Sequence, residues 1–126
     1  MGMIETRITN EKPPVVYDLD DFRHGLGNRP NDAGVTVTSH HKVSLWTIQA
    51  GKTVPLHTHS DSECVIIVMA GQGEYMWGNR SMDMKKDMLT IASPGAAHGF
   101  RNNNTEPLVV LTIEGPGPFD VRPPGA

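Results

Sequence analysis

The 126-residue sequence has a single cysteine, Cys64, which has no partner in the chain with which to close a disulfide. Its cysteine usage therefore gives no sign of an oxidising compartment. No stretch approaches the roughly 18 apolar residues of a membrane span, and the opening MGMIETRITNEK lacks the apolar core of a signal peptide. A cytoplasmic protein is expected. Clustered charge of one sign is also missing: 11 Lys and Arg stand against 14 Asp and Glu, for a net charge of −3, and the basic residues are scattered. That leaves no electrostatic footprint for nucleic acid or an anionic membrane surface, so neither is an expected partner. Sustained 3.6-residue periodicity, internal repeats and low-complexity tracts are absent as well, which leaves a helical reading without support.

Turn-forming residues are plentiful. The chain has 13 glycines and 10 prolines, well above an average combined usage of about 12%. Such a composition implies many turns and an all-β protein, and the length fits one domain around one core. Val35 and Val37, then Val43 and Leu45, alternate with polar neighbours as half-buried strands do. The run from Cys64 to Ala70 (CVIIVMA) is apolar throughout and reads as a buried strand closed by Gly71-Gln72-Gly73. Further strands are expected over Glu74 to Trp77, Met88 to Ala92 and Pro107 to Glu114, with a turn at Gly78-Asn79. Residues 1–30 read as a polar arm carrying one short apolar run, Val15-Val16-Tyr17, residues 31–115 as the β domain, and residues 116–126 as a Pro/Gly-rich tail, extended or disordered.

Two short stretches carry chemistry. Residues 51 to 63 read GKTVPLHTHSDSE, and on a strand His57 and His59 project from the same face. Residues 93 to 102 read SPGAAHGFRN, in which Gly95 supplies a tight turn and His98 opens a strand placed to face the first pair across a barrel. Three imidazoles and a carboxylate would make a four-ligand metal site.

Together these stretches resemble the motifs of the cupin superfamily. The first motif is matched by Gly51, His57, His59, Glu63 and Gly71, and the second by Gly95, His98 and Asn102. The resemblance implies a double-stranded β-helix, or jelly-roll barrel. It also implies one divalent transition metal (Fe, Mn, Ni or Zn) bound inside the barrel by His57, His59, Glu63 and His98. Three positions depart from the pattern. Glu63 lies one residue too far from Gly71, so either a β-bulge turns Glu63 inward or a regular strand turns Cys64 inward, and the spacing from His59 favours Glu63. Ser93 replaces a proline, and Asp87 stands where a glycine is expected.

Outside the motifs, His24, His40 and His41 read as surface histidines, and the methionines as gap fillers. Trp46 and Trp77 read as core or wall residues, Phe100 as a wall of the cavity, and Arg101 as a solvent-facing charge. Glu74 and Tyr75 are the nearest candidates for an extra acid or base. Val65, Ile67 and Met69, which share the parity of Glu63, are expected to line the cavity. Four protein ligands leave open positions on a six-coordinate ion, which suits a dioxygenase-type enzyme acting on a small oxygenated molecule. A non-catalytic module binding or sensing a small ligand uses the same site. Single-domain cupins commonly pair, and a homodimer is expected, with the arm around Val15-Val16-Tyr17 lying against the partner's sheet.

Overall fold

The computed structural model describes residues 13–23 and 31–124. Expectations for His24 and for the rest of the arm lie outside these residues. Among the described residues nine strands form two antiparallel sheets. The five-stranded sheet has the order β1-β2-β9-β4-β7, from β1 (Asn31–Val37), β2 (Lys42–Ile48), β4 (Glu63–Ala70), β7 (Leu89–Ala92) and β9 (Leu108–Gly115). The four-stranded sheet has the order β3-β8-β5-β6, from β3 (Thr53–His57), β5 (Gln72–Trp77), β6 (Arg80–Lys85) and β8 (His98–Arg101). This is the jelly-roll architecture expected for the chain.

Alternation decides which face each strand buries. On β4, Cys64, Ile66 and Val68 point inward and meet Val110 and Leu108 of β9, Phe100 of β8, Tyr75 of β5 and Met84 of β6 in one core. Strand β6 escapes sequence reading because only Met84 of RSMDMK is buried, on an edge strand otherwise open to solvent. Around Val15-Val16-Tyr17 the chain forms no strand; Val15 and Val16 are exposed and Leu19–Phe22 is a 3₁₀ turn.

Glycines stand where the backbone demands them. Gly71, at the β4–β5 turn, has φ +76°, and a Cβ there would lie 2.3 Å from the Pro107 carbonyl oxygen. Asp87, where the sequence motif wants a glycine, adopts φ +75°. A non-glycine residue in that region costs about 1 kcal/mol, so Asp87→Gly is expected to leave the fold intact and to raise thermal stability by up to about 1 kcal/mol. Paired melting curves check this, and a lowered melting temperature would contradict it.

Candidate metal centre

The histidines come together because two strands run side by side. His57 ends β3 and His98 begins β8, and the two are cross-strand partners with ring centroids 4.5 Å apart. They are neighbours within one sheet, not residues facing each other across the barrel. The strands approach closely because residue 99 is glycine: a Cβ there would lie 2.5 Å from the Val54 carbonyl oxygen. His59 lies just beyond β3, where Thr58 exchanges backbone hydrogen bonds of 2.8 and 2.9 Å with Arg122. Its ring is 5.0 Å from that of His57 and 5.1 Å from that of His98. One ring nitrogen from each of the three lies within 4.8 Å of the others.

Each ring is oriented in the same way. Nδ1 of His57 faces the Pro55 carbonyl at 2.9 Å, Nδ1 of His59 the Asp120 carbonyl at 2.8 Å, and Nδ1 of His98 the Ala96 carbonyl at 3.0 Å. A carbonyl oxygen only accepts, so each Nδ1 carries the proton and each Nε2 carries a lone pair. Three lone pairs converging without a proton between them suit a divalent cation, and backbone carbonyls commonly orient metal-ligating imidazoles in this way. The donor set fits the transition metal implied by the sequence.

Burial holds His98 neutral, and the neighbouring His57 and His59 add to this; its pKa falls from 6.5 to about 4 although the Ala96 carbonyl pulls the other way. A base whose folded pKa is depressed gives stability that is present above pH 6.5 and lost as pH falls toward 4. A shift of that size corresponds to about 3 kcal/mol. Chelator-treated protein is therefore expected to lose about 3 kcal/mol more stability between pH 6.5 and 4 than a His98→Gln variant does. Denaturant titrations across that range check the difference, and parallel losses would contradict it.

The expected fourth ligand is elsewhere. Glu63 is exposed at the start of β4 and is not part of the cluster, whereas Cys64 is buried and lines the cavity. Pairing between β4 and β9 is regular from Glu63 to Val68, and the register shift falls between Val68 and Ala70. The extra residue before Gly71 is thus absorbed at the far end of the strand, after the site rather than within it. For the same reason Val65 and Ile67 turn outward, and Cys64 and Ile66 form the wall; Met69, at the register shift, does not line the cavity either. The Cys64 thiol is pushed up to about 12, by burial first and by the charge of Glu114 second, so it is protonated.

A cavity of about 290 Å³ opens beside the histidines, walled by Trp46, Ile48, Val54, Ile66, Phe100 and Val110. Trp46 and Phe100 hold the wall positions expected of them, while Trp77 is 36% exposed and stacks on Tyr75 outside the cavity. Arg101 is exposed and pairs with Glu74 at 3.4 Å, so neither reaches the site. Tyr75 packs against His98 and Phe100, and burial pushes its hydroxyl up to about 12. Asn102, the last residue of the second motif, is fully buried and does not line the cavity. Its Nδ2 donates to the carbonyls of Ile48 and Glu106, both at 2.8 Å, and its Oδ1 accepts from the Asn104 N–H at 3.0 Å.

Sequence reading misses the contribution of the tail. Residues 116–124 bend at 116–117, form no strand beyond the single Thr58–Arg122 bridge, and reach the site at Asp120 and Val121. Ser62 Oγ donates to the Pro116 carbonyl, and Ser60 donates to Asp120 through its backbone N–H at 2.9 Å and its hydroxyl at 2.5 Å. These bonds hold the Asp120 carboxyl down at about 2 and set its carbonyl against His59. Val121 lies at the cavity mouth. Glu114 is missed too, although it shares the inward parity of Val110 and Thr112 on β9.

The fold and the cluster define a double-stranded β-helix whose small cavity ends in three histidines able to hold a metal. The chain belongs to the cupin family: residues 44–114 match the cupin domain Cupin_2. Its fold is similar to that of an uncharacterized conserved protein with a double-stranded beta-helix domain from Klebsiella pneumoniae, at 24% identity, 86% coverage of this chain, 96% coverage of that one and a TM-score of 0.81. An RmlC-like cupin from Desulfovibrio desulfuricans matches at 25% identity, with 84% and 92% coverage and a TM-score of 0.64. The Cnp3 cupin domain of Schizosaccharomyces pombe matches at 17% identity, with 82% and 74% coverage and a TM-score of 0.73. A comparison with curated proteins gives no match.

Proposed function

We propose that this cupin holds one divalent transition metal on the Nε2 atoms of His57, His59 and His98 and acts as a dioxygenase-type enzyme on a small oxygenated organic molecule. The observation that carries the reading is the common tautomer of the three rings, each fixed through Nδ1 by a backbone carbonyl. Three protein nitrogens leave at least one position of the metal to a molecule from the cavity, whereas structural sites tend to be closed by four protein ligands. The metal supplies Lewis-acid or one-electron chemistry there. The chain supplies the apolar wall that excludes water, the carbonyls that orient the rings, and the tail over the site.

The test is to load the protein anaerobically with Fe(II), offer catechols, flavonols, β-diketones and 2-oxo acids, and follow oxygen uptake. Turnover with one class is the expected result. Binding that perturbs the metal spectrum, without turnover and equally with Mn(II), Ni(II) and Zn(II), favours a binding or sensing module instead. A cytoplasmic location belongs to the same reading, on the strength of the single buried thiol. No helix of the described residues is long and apolar enough to cross a membrane.

The homodimer is part of the proposal too. On the outer face of the five-stranded sheet, two rows run across four strands, Val43–Ile113–Val65–Ile91 and Leu45–Leu111–Ile67–Leu89. Leu89 and Ile91 are 56% and 52% exposed. Leu45 is already buried at the β2 end, and a second copy laid on the half-buried and exposed remainder, toward β7, covers it. Light scattering at micromolar concentration is expected to give twice the chain mass and Ile91→Lys the monomer mass; a monomeric wild type would end the idea.

A further inference from the structure

We propose that Glu114 determines ligand specificity, selecting small molecules that present a hydroxyl group to its carboxylate beside the three histidines. The proposal rests on the metal-site reading above and names the class of ligand that site takes. Glu114 lines the cavity at 6% exposure, and its Oε2 is buried without a hydrogen bond. Among the described residues the other such atom is Oγ1 of Thr47, which does not line the cavity. Nδ1 of His59 lies 3.5 Å from Oε2, but its one proton goes to the Asp120 carbonyl at 2.8 Å. Lys42, the cross-strand partner of Glu114 on β2, also lines the cavity and makes no ion pair with it among the described residues. Cys64, the partner on β4, directs its weak donor to the Val65 carbonyl at 4.0 Å.

A buried carboxylate oxygen without a donor is costly, and a carboxylate on a residue that lines a cavity is relieved by a donor on whatever enters. Ile48, Ile66, Phe100 and Val110 offer none. The arriving group is a hydroxyl rather than an ammonium, because a cation would sit beside both Lys42 and a dication. With about 290 Å³ available, the ligand is a compact carbon skeleton, no larger than a lightly substituted ring. One oxygen of it meets the metal and a separate hydroxyl donates to Glu114. A pocket built to receive a hydroxyl rejects the analogue that lacks it, because its own polar group is then left unpaired.

The probes are benzoate, the three hydroxybenzoates and the three methoxybenzoates, titrated calorimetrically into Co(II)-loaded protein. At least one hydroxy isomer is expected to bind roughly 10-fold or more tightly than both its methoxy counterpart and benzoate. Glu114→Gln, which keeps the shape but not the charge, is expected to bring that ratio below about threefold. Where Glu114→Gln does not fold, judged by circular dichroism, the wild-type ratio and Glu114→Asp carry the test, with the same reduction expected. Equal affinities, no binding of any probe by Co(II)-loaded protein, or a preference that survives in the variants would overturn this proposal alone. A wild type that binds no Co(II) would overturn the metal reading, and this proposal with it.

Discussion

Replacing His57 and His98 together by alanine is expected to lower bound metal from about one ion per chain to none, measured by elemental analysis of protein prepared without chelator or a metal-affinity tag. The double variant removes the cross-strand pair that β3 and β8 hold 4.5 Å apart. His59 alone offers a single nitrogen. Glu63→Ala serves as the control, because that carboxylate is exposed and outside the cluster; its metal content is expected to match the wild type. Metal retained in the double variant would refute the site. Metal lost in Glu63→Ala would restore the carboxylate as a ligand.

The second large effect is on stability. Asn102→Ala is expected to cost about 3 to 4 kcal/mol, because the buried Ile48 carbonyl and the part-buried Glu106 carbonyl lose their donor and the Asn104 N–H its acceptor. The Asn102 backbone also exchanges hydrogen bonds with Gly51 and Lys52, at 2.7 and 2.9 Å, in the turn that leads into β3. The side chain thus joins the end of β2 to the loop before β9 from a fully buried position, while the backbone bonds to the turn before β3 remain in the variant. For a chain of this size the loss corresponds to a melting temperature lower by about 11 to 15 °C. A loss under about 1 kcal/mol would show that the loops hold without it.

Much of the fold and of the site is legible in the two motifs themselves. Glycines at 51, 71 and 95 mark positions where the backbone takes positive φ, and Asp87 takes the same conformation where the motif asks for a fourth. The histidines are legible because a metal site needs donors at fixed intervals on strands. Glu63 is misplaced by spacing alone because a bulge can absorb an extra residue at either end of a strand, and sequence does not say which; pairing with β9 places it between Val68 and Ala70. Strand β6 is not legible because an edge strand with one buried residue shows no alternation. The tail reads as an arm because Pro and Gly forbid a ladder, yet isolated hydrogen bonds at Ser60, Ser62 and Thr58 dock it against the site. Glu114 is hidden at the end of an apolar strand, where parity alone turns it inward.

The claim on which the account depends is that three imidazole nitrogens, and no protein carboxylate or thiolate, hold the metal. It is tested most directly by anomalous diffraction from crystals of zinc-loaded protein, recorded on both sides of the metal's absorption edge. The account predicts one peak per chain at about 2.0 to 2.1 Å from the Nε2 atoms of His57, His59 and His98, with Glu63 in solvent and Cys64 unligated. No peak at this cluster, or a peak ligated by Glu63 or by the Cys64 sulfur, would contradict it.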